Sequence, residues 1–323
     1  MMDSAAMKAD NEAMVMDAAI DPESAKRQVV DLLTGFSIET TPGSAAKTPD
    51  YREHLRPGTT INVTHLPGSD FADTIATAKR LKAEGFAPAP HIAARSTPDR
   101  RTLEDWLKRL QEDVGVTHVL ALGGGVSAPV GDFDSSMQLL ETGLFDKYGI
   151  TTIGVAGHPE GSPDIPDPAL AEALDWKNAF AARSDAAFYI ATQFCFEAAP
   201  IIEWDQRLRA AGNKLPIHIG LPGLATIKTL LSHARACGVG PSMRFLTRQA
   251  TKLAKLMTVN APDRLVLDLA RYRAEDPDCG IRQVHVYPLG GLRKSAAWVY
   301  GVLDGDFDLD REGKGFKVLR EIA

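Results

Sequence analysis

Short apolar runs alternate along this chain with longer stretches whose apolar positions recur every three or four residues. The runs at 36–40, 60–65, 87–92, 117–122, 151–156, 187–192, 216–221 and 283–287 read as strands. The run at 117–122 is almost wholly apolar, as a strand covered on both faces should be. Helical periodicity fills most of the gaps. Asp21-Pro22-Glu23 supplies an N-cap, a first-turn proline and an early acid for a helix over 22–33. Phe71, Ile75, Ala78 and Leu81 make one helical face, and Leu103, Trp106, Leu107 and Leu110 make the next. Further helices are expected over 135–148, 168–182, 200–211 and 292–303. The section 225–273 holds two or three helical stretches and no clear strand. The pattern predicts an α/β fold, a (β/α)8 TIM barrel with an N-terminal extension and a helical insertion between strands seven and eight. Residues 1–21 are expected to form a mobile tail and 22–323 a single catalytic domain.

Composition narrows the partners. The net charge is −6 and no basic stripe appears, so no nucleic acid partner is expected. No apolar stretch approaches the ~20 residues that span a bilayer, so no membrane partner is expected either. Cys195, Cys237 and Cys279 are too scattered for zinc-type spacing, so no metal is expected. Sparse cysteine and the lack of a signal-peptide pattern place the chain in the cytoplasm.

The polar residues worth weighing sit where apolar runs end. Glu39 closes the first; a buried carboxylate there has a raised pKa and can serve as a general acid, or it can simply pair with a nearby base. His91 closes the third, as a ligand for a phosphate, ribose or carbonyl or as a structural histidine. Gly123-Gly124-Gly125 lets backbone approach a ligand, or is a flexible turn. The loop at 157–163 is fixed by two prolines and two glycines around His158 and Glu160. Gln193 offers a donor and an acceptor suited to a heterocycle's amide edge, or bonds loop backbone.

Together these segments resemble the methylenetetrahydrofolate reductase family, FAD-dependent (β/α)8 barrels. The resemblance covers roughly 36–303 and is carried by Ser37-Ile38-Glu39, Val63-Thr64, Ala89-Pro90-His91, His118-Val119-Leu120-Ala121-Leu122, the segments 156–161 and 191–194, Leu221-Pro222-Gly223, and Val284-His285-Val286-Tyr287. It implies that Glu39 is the general acid that opens the folate five-membered ring. It places FAD near Thr64, His91, Gly123, Gly124, Gly125, Ala156, His158 and Arg183. It places folate near Gln193, Thr229, His233 and Leu289. The implied reaction interconverts 5,10-methylenetetrahydrofolate and 5-methyltetrahydrofolate by hydride transfer at flavin N5. The family commonly forms homo-oligomers, though no isolated apolar patch here identifies an interface.

The chain departs from the family in ways that matter. Gly123 and Gly125 stand where the family has an Arg that holds FAD and an Asp beside the flavin. A family Lys near the FAD phosphates falls at Ala182, with Arg183 adjacent. His233 and Thr229 stand near a family Phe and Gln, which leaves the use of NAD(P)H open. Removing a carboxylate ~8 Å from the flavin, at an effective dielectric near 20, is worth about 2 kcal/mol. That is on the order of 45 mV toward a more oxidising flavin. The expectation is an atypical member with its balance moved toward 5-methyltetrahydrofolate oxidation. A flavin-independent barrel acting on tetrahydrofolate by methyl transfer, and a non-catalytic barrel subunit, remain as alternative readings.

Overall fold

The computed structural model describes residues 21–236, 247, 257 and 259–322. Eight strands close a parallel barrel: β1 (Ser37–Thr40), β2 (Thr60–Val63), β3 (Ala87–Ala93), β4 (His118–Leu122), β5 (Thr152–Gly157), β6 (Ala187–Phe194), β7 (Ile217–Pro222) and β10 (Ile281–Tyr287). The chain is a (β/α)8 TIM barrel, with β1 closing onto β10 through Ser37 opposite His285. Helix α1 (Pro22–Leu33) starts where expected, with Asp21 accepting from the Glu23 and Ser24 amides. It buries Ala25, Val29, Leu32 and Leu33. The remaining outer helices are α2 (Pro42–Ala45), α3 (Phe71–Ala83), α4 (Arg100–Arg109), α5 (Ser136–Glu141), α6 (Leu144–Lys147), α7 (Asp167–Ala181), α8 (Ala198–Ala210), α9 (Ile227–Ala236), α10 (Asp263–Glu275) and α11 (Leu292–Leu303).

Side chains alternate between the barrel axis and the helical layer. Gly154 marks the axis, because a Cβ there would lie 2.1 Å from Leu120 Cδ1 and 2.5 Å from Tyr189 Cζ. Gly157 faces outward, where a Cβ would meet Ile190 and Trp204. The large core lies between the barrel wall and the helices, around Ile38, Ile61, Val119, Ile153, Ile190, Ile217 and Val284.

Three details differ from the sequence pattern. The helix expected over 135–148 is two helices, because Gly143 adopts φ 68° and interrupts the hydrogen-bond ladder. The section 225–273 is not purely helical: β8 (Ala225–Thr226) pairs antiparallel with β9 (Val259–Asn260). Strands of two residues carry no detectable period. Helix α10 within that section belongs to the barrel's outer layer and packs on α1 and α8. Third, the charged C-terminal stretch forms a hairpin of β11 (Phe307–Leu309) and β12 (Phe316–Val318), and Phe316 stacks on Trp298. The expected tail at 1–21, apart from Asp21, and part of the expected insertion lie outside the described residues. Among the described residues no helix is long and apolar enough to cross a membrane.

Candidate active site

Parallel strands bring all their C-terminal ends to one mouth, so Glu39, Thr64, His91, Ala156 and Gln193 share it. Glu39 is held from two sides. Its Oε2 lies 3.1 Å from His285 Nε2, and the Thr64 hydroxyl donates to its Oε1. His285 Nδ1 is in turn 2.8 Å from Ser37 Oγ. Neighbouring strands β1 and β10 thus build a Ser37–His285–Glu39 chain across one register pair. The side chain of Glu39 is 15% exposed and that of His285 is 2% exposed.

This arrangement overturns one expectation. Burial does push the Glu39 carboxyl upward, but the His285 hydrogen bond, the neighbouring imidazoles and the Thr64 hydroxyl outweigh it. Glu39 therefore sits below the usual glutamate range and is ionised at neutral pH. The sequence offered burial but hid its hydrogen-bond donors.

Opposite Glu39, β6 slips register between Ala191 and Phe194. This bulge fits because Gly220 lacks a Cβ, which would lie 2.6 Å from Gln193 O. The Gly220 amide donates to Thr192 Oγ1 at 2.9 Å, and Tyr287 Oη donates to Thr192 O at 2.8 Å. Gln193 is left half-buried at the mouth. Tyr287 also sets its ring edge-on to His285 at 4.8 Å, so one aromatic residue links the Glu39 side to the Gln193 side.

The other expected site residues fall unevenly. His91 is buried in β3, and its Nε2 has no partner. Gly123–Gly125 leave the end of β4; Gly124 adopts φ 99°, and a Cβ on Gly123 or Gly125 would meet nothing within 4 Å. His158 follows β5 directly. Thr229 and His233 lie one turn apart on α9, and Thr229 bonds Thr226 through both its hydroxyl and its amide. Leu289 packs with Phe194, Phe196 and Leu230 in a small apolar cluster beside the mouth.

Arg183 is misplaced in the sequence reading. It lies between the end of α7 and the start of β6, at the face where strands begin. The strand alone, seven steps of ~3.3 Å between its eight residues, separates it from the mouth by about 23 Å. A cation that reaches the end of β5 is Lys177, buried in the second half of α7, whose Nζ donates to Ala156 O at 3.3 Å. Burial lowers its pKa to about 8. Read from sequence alone, Lys177 looks like a solvated helix charge. His285 and Ser37 were quoted as motif letters without roles, and only strand alternation with Glu39 and Tyr287 could have signalled them.

Below the mouth the barrel axis is unusually rich in imidazole. His118 Nε2 lies 2.9 Å from Tyr189 Oη, and His218 stacks on Tyr189 at 4.0 Å. Burial holds His91, His118 and His158 near pKa 4 and His218 near 3. The unfolded chain takes up these protons near pH 6.5, whereas the folded chain does so only near 4. Their contribution to stability is therefore complete above pH 6.5 and falls as pH drops toward 4. Urea midpoints at pH 7 and pH 5 should show this loss, and His218→Phe should reduce the proton uptake on unfolding at pH 5 by about one. An unchanged uptake would refute the assignment.

The sequence profile of the methylenetetrahydrofolate reductase family matches residues 46–248, well over half the chain. This chain belongs to the methylenetetrahydrofolate reductase family. It is similar to methylenetetrahydrofolate reductase 2 of Saccharomyces cerevisiae, 28% identical over 206 residues, which cover 61% of this chain and 32% of that one. It is also similar to methylenetetrahydrofolate reductase 1 of Schizosaccharomyces pombe, 29% identical over 152 residues, 43% of this chain and 23% of the other. The chain thus spans a third or less of the length of these relatives. Its fold is similar to an uncharacterized protein from Clostridium thermocellum, described as binding two copies of 5-methyl-5,6,7,8-tetrahydrofolic acid. That pair has a TM-score of 0.53 and 11% identity, over 87% of this chain and 98% of that one. At such identity the likeness is one of fold.

Proposed function

We propose that this family member interconverts 5,10-methylenetetrahydrofolate and 5-methyltetrahydrofolate with bound FAD. The observation that carries the reading is Glu39, a carboxylate gripped by His285 and Thr64 at the same mouth as Gln193. The flavin, when bound, would exchange hydride with the one-carbon unit. The residues present fit such a cofactor. His91 offers a buried ring nitrogen with no protein partner, and Gly123 and Gly125 leave open backbone. Lys177, whose Nζ reaches Ala156 O at the end of β5, is a cation suited to a diphosphate.

The protein's own task is the proton at folate N10. In the reductive direction the bond from the methylene carbon to N10 breaks, and N10 gains a proton from Glu39. The proton on Glu39 is drawn from solvent before each turnover, while His285 Nε2 and the Thr64 hydroxyl hold the carboxyl in place and Ser37 Oγ, 2.8 Å from Nδ1, orients the imidazole. In the oxidative direction N10 attacks the iminium carbon, and its proton leaves to the Glu39 carboxylate. An ionised Glu39 is already in the form that oxidation needs. This agrees in direction with the more oxidising flavin expected from Gly125, and it makes 5-methyltetrahydrofolate the favoured electron donor to the flavin.

The purified protein should be yellow, release FAD on denaturation, and bleach anaerobically when 5-methyltetrahydrofolate is added. A colourless protein that FAD does not reconstitute overturns the proposal. Comparing bleaching by NADH and NADPH identifies the pyridine nucleotide, if one is used. Lys177→Met should weaken FAD binding about 10-fold, roughly 1.4 kcal/mol for a charge-assisted contact, whereas Arg183→Ala should leave it unchanged. Flavin fluorescence titration reads both, and the reverse ranking would restore Arg183.

A further inference from the structure

On the β7 side of β6, Gln193 is held by hydroxyl groups rather than by the sheet ladder. Ala191 pairs with His218 and Phe194 with Gly220, so Thr192 and Gln193 together face the single residue Ile219. The Thr192 hydroxyl donates to Gln193 O at 2.8 Å and accepts from the Gly220 amide at 2.9 Å. The Tyr287 hydroxyl donates to Thr192 O at 2.8 Å. Each of the two peptide units that flank the Gln193 Cα is therefore gripped by a side-chain hydroxyl, one from Tyr287 and one from Thr192.

Tyr287 reaches Thr192 from β10, two strands away, across β7. Gly220 leaves the space for that bond, since a Cβ there would lie 2.6 Å from Gln193 O and 2.7 Å from Thr192 O, the acceptor itself. The tyrosine ring is fixed independently of its hydroxyl. It meets Phe194 edge-on at 5.4 Å and His285 edge-on at 4.8 Å. Thr192 is buried, so its carbonyl, left without that donor, must turn to find another partner. Turning that peptide carries the Gln193 side chain with it.

We infer that Tyr287 is a positioning residue for folate affinity. Its hydroxyl fixes the Thr192–Gln193 peptide and so aims the Gln193 amide at the substrate, while taking no proton and touching no reacting atom. The inference rests on the folate reading proposed above and adds to it the residue that sets Gln193. An amide aimed beforehand loses little freedom when the substrate arrives, whereas a loosely held one must be ordered at that moment. The hydroxyl therefore strengthens binding and leaves the chemical step alone.

The test measures binding of 5-methyltetrahydrofolate to the flavin-loaded protein, together with the rate of anaerobic bleaching at saturating folate. Tyr287→Phe keeps the ring against Phe194 and His285 and should weaken binding about 5-fold, within the range of one hydrogen bond. Its bleaching rate at saturation should stay within about twofold of the parent. Thr192→Val, which frees the other peptide unit, should show the same split between affinity and rate. In a Gln193→Ala background, Tyr287→Phe should change affinity by less than about 1.5-fold, because the residue it positions is gone. A tyrosine with a merely structural role keeps its effect in that background, and this result overturns the inference. Parent-like affinity in either single variant, or a saturated rate that falls about 10-fold in Tyr287→Phe, also overturns it while leaving the folate reading intact. Failure of the parent protein to bind 5-methyltetrahydrofolate overturns the folate reading and the inference with it.

Discussion

Glu39→Gln should slow the interconversion of the two folates by about 10²- to 10⁴-fold, the usual contribution of a positioned acid or base. Gln keeps the shape of the side chain and can still accept from the Thr64 hydroxyl and meet His285 Nε2, 3.1 Å from Oε2 in the parent. It cannot hold or release a proton at N10. The variant should therefore fold and bind FAD and folate near normally. Anaerobic bleaching of the flavin by 5-methyltetrahydrofolate should become slow, and reduction by a chemical reductant such as dithionite should not change. The split between the two reductions separates loss of the proton path from loss of the cofactor site. Turnover within threefold of the parent would remove Glu39 from the chemistry. It would leave the Ser37–His285–Glu39 chain as a structural brace across the β1–β10 seam.

The barrel was legible because its signals are local. Strands β1 to β7 and β10 each follow an apolar run, and glycines such as Gly35, Gly85 and Gly212 end the preceding helices with positive φ. What failed was whatever depends on a partner distant in sequence. The bond from His285 to Glu39 spans 246 positions, so its effect on the carboxyl could not be read from the apolar run around Glu39. Arg183 was credited to the mouth because alignment runs along the chain, whereas a barrel sends every strand start to one face and every strand end to the other. Lys177 sits about one turn before the end of α7 and on its inner side, so it reaches the β5 end that Arg183 cannot. Gln193 was legible as a strand-end residue. The bulge that sets it was not, because its cause is Gly220 on the next strand.

The largest effect on stability is expected away from the mouth, at Asp205. Its side chain on α8 is fully buried. The Tyr272 hydroxyl donates to Oδ2 at 2.6 Å, the Gly280 amide donates to Oδ1 at 3.0 Å, and Arg209 Nε lies 3.3 Å from Oδ2. One carboxylate therefore ties α8 to α10 and to the segment entering β10, the strand that carries His285. Asp205→Ala strands a buried amide and a hydroxyl and removes one of two acids facing Arg209. Breaking a buried pair from one side commonly costs about 3–5 kcal/mol. Arg209 keeps Asp276 at 2.5 Å, so the lower end, about 3 kcal/mol, is expected. Asp205→Asn keeps an acceptor for the Gly280 amide and can donate to the Tyr272 oxygen, so it should lose less than half as much. Urea denaturation followed by circular dichroism reads both variants. Equal midpoints for the alanine variant and the parent would show that the carboxylate's desolvation cancels its bonds, and that packing alone fixes the strand behind His285.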